Sequence, residues 1–352
     1  MRFAPDDRQR AVVEAVEAAL DGPGDGGPER RWTALGKAGI PALAMPTWLG
    51  GDGLGTAEVA AVLTEIGRRA EALPALATLA LGVLPVVRWG SREQQRDLLT
   101  GVPTGSTVLT AGWREPSEPM PTAPRTTITR GRAVTGKKLG VPYAAQAYRI
   151  LTPVSLDAGG VGVALVDPRA TGVTLVRTPT CGSAPEYSLQ LDGAPATGLL
   201  DAAAVEDLYR HVVAAACAAG DGLLAGALAL TSAHVGSREQ FGRPLAAFQA
   251  VAQQIADVYV ASRTLHLATV SACWRLGAGL DATGDLDVAA YWLAGEALPA
   301  LRTCHHLHGG LGLDVAYPLH RYSALARDLV RSLGGTEACL ERLGSRHAHR
   351  AV

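Results

Sequence analysis

The 352 residues are too many for one small core and call for about two to three domains. Hydrophobic residues make up 48% and charged residues 18%, a globular balance that excludes a disordered chain. With 32 basic side chains against 33 acidic ones, nothing in the charge favours nucleic acid or an anionic membrane surface as partner.

In chain order, Arg8 to Leu20 carries Ala11, Val12, Ala15, Val16 and Ala19 at the spacing of an amphipathic helix, and the Gly22 to Gly27 stretch stops it. Met45 to Gly55 reads as a glycine-rich loop, after which Thr56 is placed to cap a helix running to about Arg69. Ser91 to Leu99 reads as another helix, with Glu93 in its first turn. From about Thr107 short β-prone runs follow: Thr126–Thr129, Ala133–Val134, Tyr148–Leu151, Val161–Val166 and Val173–Val176. Asp157–Gly160 and Asp167–Arg169 supply turns between them. Beyond Ala202 the helical period returns, and Phe248, Val251, Ile255, Val258 and Leu265 form one apolar stripe suited to bundle packing.

Five widely spaced cysteines without a Cys-x-x-Cys pair predict reduced thiols in a cytoplasmic protein. Asp6 and Asp7 meet the N-terminus at once, with no apolar signal core behind them. The apolar run Leu73 to Val87 is broken by Pro74, Gly82 and Pro85, short of a span of about 20 residues. A soluble, unexported chain is expected, with no membrane and no nucleic acid among its partners.

Two stretches carry chemistry. The first runs Arg238-Glu239-Gln240-Phe241-Gly242-Arg243-Pro244-Leu245-Ala246-Ala247-Phe248-Gln249, and the second His306-Leu307-His308-Gly309-Gly310-Leu311-Gly312. Pro46 to Leu54, Trp89 to Gln95, Tyr317-Pro318, Arg321 and Arg327-Asp328 accompany them in order. Together these resemble the acyl-CoA dehydrogenase family over nearly the whole chain. The resemblance implies an α+β fold: an N-terminal helical domain (1–105), a middle antiparallel β-barrel-like domain (106–201) and a C-terminal helical bundle (202–352). It also implies FAD shared across a subunit boundary, an acyl-CoA substrate and an electron-transfer acceptor.

On that resemblance Arg238 presents a bidentate fork to the flavin diphosphate, and Gln240 and Gln249 bond ribose or adenine edges. Phe241 supplies an apolar wall, and Gly309 and Gly310 let backbone approach the cofactor. His306 stands where the family usually has glutamine. His305, His306 and His308 bring no closed ligand set, so no metal is expected. Arg327-Asp328 reads as a structural ion pair. No Gly-x-Gly-x-x-Gly after a strand and no Gly-x-Ser-x-Gly elbow competes with the flavoprotein reading.

The family removes the proton next to the thioester carbonyl with a carboxylate, and the usual position for that base falls on Gly334. The alternative position used by some relatives lands near Val212, with Glu206 and Asp207 more than a turn away. Glu337, which reads as a first-turn helix acid, and Asp221, a turn residue or a polar contact between Gly220 and Gly222, are the substitutes to consider. The stretches that hold the flavin ring in complete members are also altered: Leu109 to Pro119 departs from the family's pattern and a proline-rich run follows it, and Gly136 to Pro142 lacks the family's tryptophan and threonine. The losses fall on what a subunit does for itself, while the Arg238 block serves a neighbour. This division of labour resembles that of heteromeric α2β2 acyl-CoA dehydrogenases of sterol side-chain degradation, and the resemblance implies the non-catalytic subunit of a heterotetramer, paired with a homologous catalytic subunit and acting on a steroid side-chain acyl-CoA. An autonomous homotetramer with an unrecognised base and a non-enzymatic scaffold are the two alternatives.

Overall fold

In the computed structural model, described for residues 3–21, 27–116 and 118–348, the chain divides into two compact units: 5–62 with 73–215, and 63–72 with the chain from 216 onward. The helical segments come first. Helix α1 (Asp7–Leu20) starts at Asp6, whose carboxylate accepts from the Gln9 amide while Gln9 Oε1 accepts from the Asp6 amide. Of the Gly22–Gly27 stretch expected to stop it, residues 22–26 lie outside the described residues. Helix α2 (Pro28–Lys37) opens on proline, which sets the first helical φ at no cost in hydrogen bonds. Helix α3 (Thr56–Arg68) begins at Thr56 rather than after it, and Glu58 makes the backward bond to the Gly55 amide.

The run expected to be broken by Pro74, Gly82 and Pro85 is helical from Leu76 to Trp89: a π-helical stretch, Leu76–Val83, continues as α4 (Leu84–Trp89). Gly82 is there for close approach, since a Cβ would collide with Leu109. Helix α5 (Arg92–Leu99) is capped by Ser91 and Gln94 in a reciprocal box.

The strands are β1 (Val108–Ala111), β2 (Thr127–Ile128), β3 (Ala133–Pro142), β4 (Ala147–Leu156), β5 (Val161–Val166), β6 (Val173–Thr178) and β7 (Glu186–Leu200). Strands β4, β2, β3, β7 and β5 pair in a ring that closes on β4, with β1 added along β4 and β6 along β7. The barrel is therefore closed, but not antiparallel throughout: β1–β4 and β2–β4 are parallel. Intervening chain as long as 112–146 and 129–146 allows this, where a short hairpin would not. Ile128, Val134, Val141, Ile150, Val154, Val166, Leu189 and Leu191 fill its interior. Each fully buried aliphatic contributes about 1.5–3 kcal/mol.

Helix α6 (Ala202–Ser237) is long and apolar enough to cross a membrane, but 78% of its apolar window is buried inside the protein, as in a core helix. It gives 202–215 to the first unit and its remainder to the second. There follow the hairpin β8 (Glu239–Gln240) and β9 (Arg243–Pro244), then α7 (Gln249–Gly277) and α8 (Thr283–Tyr291). A π-helical turn leads from α8 to α9 (Leu298–His308), and α10 (Leu319–Ser332) and α11 (Gly335–Ala348) end the chain. Of the expected stripe, Val258 and Leu265 are buried on α7, whereas Phe248 precedes the helix as its N-cap.

Candidate functional site

In the second unit, the end of α6 and the end of α9 enclose a concavity of about 720 Å³. His234, Ser237, Arg238 and Leu245 line it from one side and His306 to Leu311 from the other. The Arg238 amide donates to the His234 carbonyl, which keeps Arg238 in helical continuation past Ser237. The Arg238 carbonyl accepts from the Leu245 amide across the hairpin. Helix α9 ends at Gly309 with φ 57° and ψ −136°, a conformation for which a side chain would be strained.

Four of the expected cofactor residues, Arg238, His306, Gly309 and Gly310, line this one concavity. Gln240, Phe241 and Gln249 do not. Gln240 turns back to the Glu239 carbonyl, and Gln249 is the exposed first residue of α7. Phe241 is 93% exposed at the tip of the β8–β9 hairpin. There Phe241 and Gly242 both have positive φ, 54° and 77°, the pattern of a two-residue type I′ turn. A phenylalanine in the left-handed region costs about 1–2 kcal/mol. Phe241 meets Phe248 edge to face with centroids 6.2 Å apart, and the Arg243 guanidinium lies over Phe248 at 4.1 Å.

Sequence reasoning missed the importance of His234 and gave His308 no role beyond its cluster. The two imidazoles stack at 4.5 Å with 16° between their planes. His308 Nδ1 lies 2.8 Å from the Cys304 carbonyl, and its Nε2 lies 3.1 Å from the Tyr317 hydroxyl. Burial holds His308 below the ordinary imidazole value, as it does His234, where the Arg238 guanidinium adds to the effect. His305 is also engaged: Nδ1 meets the Gly312 carbonyl at 3.0 Å and Nε2 the Ser323 hydroxyl at 2.8 Å. With these nitrogens bonded, His305 and His308 are hydrogen-bonded framework around the turn 309–313. Among the described residues no carboxylate lines the concavity, so its donors point to an anion. The cradle fits the diphosphate end of a flavin dinucleotide: the Arg238 guanidinium, the His306 imidazole and open space over Gly309 and Gly310.

The base positions differ in surroundings. Gly334 is exposed between α10 and α11 with φ 96°, and Glu337 is an exposed acid in the first turn of α11. Val212 is buried within α6. Beside it His211 bonds the Thr56 hydroxyl and the Asp207 carbonyl, and Glu206 pairs with Arg210. Asp207 receives Trp89 Nε1 at 2.9 Å and Arg88 at 3.1 Å. Asp221 lies inside α6 and not in a turn; it is buried, with Oδ2 2.9 Å from His266 Nδ1. The ion pair expected for Arg327-Asp328 is instead Asp328–Arg331, one turn along α10.

In the first unit, the altered strand segments are tied down by their own contacts. Glu115, almost wholly buried, accepts from the Arg125 and Thr126 amides, the Thr126 hydroxyl and Lys138 Nζ, the last at 2.6 Å. Burial pushes its carboxyl up, but Lys138 and these donors together hold it below the usual carboxylate range. Burial brings the Lys138 ammonium down to about 8, against the pull of Glu115. The proline-rich run is pinned further on, where Tyr209 donates to the Pro121 carbonyl at 2.9 Å and Ser155 to the Pro124 carbonyl at 2.6 Å.

A helical start, a closed strand barrel, a helical bundle and a basic concavity beside a Gly-Gly turn define an acyl-CoA dehydrogenase, and the chain belongs to that family. Residues 8–106 match the acyl-CoA dehydrogenase N-terminal domain and 196–349 the C-terminal domain. Among curated relatives, the acyl-CoA dehydrogenase FadE28 of Mycobacterium tuberculosis is 46% identical, over 98% of this chain and 99% of the relative. Two solved structures are similar across almost their full lengths. A steroid ACAD, Tcur3481-Tcur3483, shares 32% identity at a TM-score of 0.89, covering 98% of both chains. The ChsE4-ChsE5 complex from Mycobacterium tuberculosis shares 29% at 0.90, covering 99% of both.

Proposed function

We propose that this chain is the non-catalytic subunit of a heteromeric FAD-dependent acyl-CoA dehydrogenase, completing in trans the flavin site of a homologous catalytic subunit. The observation that carries the reading is a contrast within one molecule. The concavity around Arg238 offers its donors outward and, among the described residues, holds no carboxylate, while both base positions, Gly334 and Val212, lack any proton-accepting side chain. Glu337 faces solvent and Asp221 is committed to His266 inside the helices, so neither is available as a substitute base.

Arg238 and His306, with the amides of Gly309 and Gly310, would hold the diphosphate end of FAD. Bound FAD supplies the hydride acceptor of the desaturation. The chain's own ring-holding segments are closed by the Glu115–Lys138 and Tyr209–Pro121 contacts, which supports poor binding of a flavin ring in cis. Two solved relatives are two-component proteins by name, one of them a steroid ACAD. This supports a partner subunit of the same family and a steroid side-chain thioester as substrate.

Co-expression with the neighbouring dehydrogenase gene, followed by counting FAD per chain, tests the reading. The expected result is about one flavin per two chains and turnover only from the complex. A yellow, active protein from this chain alone would sink it.

A further inference from the structure

His234 has no role in the flavin site as drawn so far. It stands one helical turn before Arg238, on the same face of α6. Its stacked neighbour His308 is fully bonded: the Cys304 carbonyl requires a proton on Nδ1, which leaves Nε2 to accept from Tyr317. The two rings are therefore not equivalent. Among the described residues no protein group bonds either ring nitrogen of His234 or pairs with the Arg238 guanidinium, and both line the concavity.

Among the described residues, the titratable groups around His234 are cationic or neutral. Arg238 follows directly on the end of its helix, His306 and His308 come from α9 and line the same concavity, and His305 and the Tyr317 phenol adjoin His308. Burial and the guanidinium keep His234 neutral near pH 7 in the absence of an anion. A diphosphate against Arg238 reverses both influences, since it neutralises the guanidinium and gives an imidazolium N–H an anionic acceptor.

We propose that His234 is a proton-linked ligand of the diphosphate, taking up one proton from solvent as the anion seats against Arg238 and returning it when the anion leaves. The proposal rests on the reading of this concavity as a flavin half-site. The sign follows from linkage. The bound state holds the proton more tightly, so affinity rises as pH falls through the bound-state pKa and levels off below the free-state pKa. One linked proton changes affinity by at most about tenfold per pH unit.

The test uses the full chain and ADP-ribose, a diphosphate diester whose charge is constant from about pH 8 to about pH 5.5, a range that spans histidine titration. Calorimetry in buffers of different ionisation heat reads both affinity and proton uptake. Wild type is expected to bind more tightly at the acid end, taking up a fraction of a proton that peaks between the two pKa values. His234→Gln is expected to gain less affinity at the acid end than wild type and to take up correspondingly less proton, His306 accounting for what remains. Arg238→Ala is expected to lose binding at every pH. Proton uptake undiminished in His234→Gln overturns the inference and leaves the half-site reading standing. No binding by wild type, or unchanged binding by Arg238→Ala, overturns the half-site reading and the inference with it. Titrating the His234 ring of the wild-type chain by NMR, with and without ADP-ribose, gives the same answer without a variant; an unmoved midpoint refutes the proposal.

Discussion

Lys138 has no exposed surface, and among the described residues its charged partner is the buried Glu115. Removing one member of such a pair leaves an uncompensated charge in a low dielectric, so Lys138→Met is expected to cost about 3–5 kcal/mol, read by urea unfolding. The pair also sets acid behaviour. Glu115 is held below its unfolded value, so its contribution is present above the ordinary carboxylate range and is lost as pH falls through the depressed folded pKa. At Gly334, φ 96° makes any side chain strained by about 1–3 kcal/mol. Gly334→Glu is expected to lower stability by that amount without creating turnover in the lone chain; acyl-CoA oxidation by the purified variant would refute this. Arg238→Ala is expected to weaken flavin retention in the assembled complex by about 1.5–3 kcal/mol with circular dichroism unchanged. Arg238 and the Gly309-Gly310 pair were legible because they sit in a long fixed pattern. His234 was not, since a single histidine four residues before an arginine carries no signature. Of the two readings left open for Asp221, the polar contact holds, with His266, and the turn suggested by its flanking glycines does not. These glycines serve helix packing instead: a Cβ at Gly220 would collide with Leu293, and one at Gly222 with the Thr64 carbonyl.

Among the elements, β7 shows most clearly why local pattern falls short. Its 15 residues pair with β3, β5 and β6, yet no strand was expected there. Leu189 and Leu191 face the core on one phase, and Ala194, Ala196, Gly198 and Leu200 on the other, because the register slips at Asp192-Gly193. A period of two interrupted by a bulge, with Pro195 and Gly198 behind it, reads as turn chemistry until pairing partners are known. The β8–β9 hairpin hides for the opposite reason: it is only two residues deep on each side, and its turn places a phenylalanine where asparagine or glycine is favoured. Phe241 buries almost nothing within the chain. Phe241→Ser is expected to change stability by no more than about 0.5 kcal/mol while reducing flavin retention and assembly with the partner, measured by gel filtration and flavin fluorescence.

For the whole molecule, the order of helices, strands and helices was legible in the spacing of the motifs, and barrel closure was not, because it depends on which strands meet. The proposed division of labour has a thermodynamic signature at this scale. A ligand stabilises the species that binds it by about 2.7 kcal/mol at a hundred times its Kd. FAD at concentrations that saturate the complex is expected to raise the melting temperature of the complex well beyond that of the lone chain, which offers only the diphosphate end of the site. Equal shifts in both would contradict a half-site.

The Phe241 tip has a bearing on the cell as well as on the site. The Phe241 ring, 93% exposed on a turn that disfavours it, forgoes the burial an aromatic side chain gains elsewhere, and on the proposed reading the partner subunit supplies that burial. Copies made in excess of the partner would display the ring continuously to chaperones and proteases. On the proposed reading, matched synthesis of the two subunits becomes a requirement of proteostasis, and the abundance of this chain should track the dosage of its partner's gene.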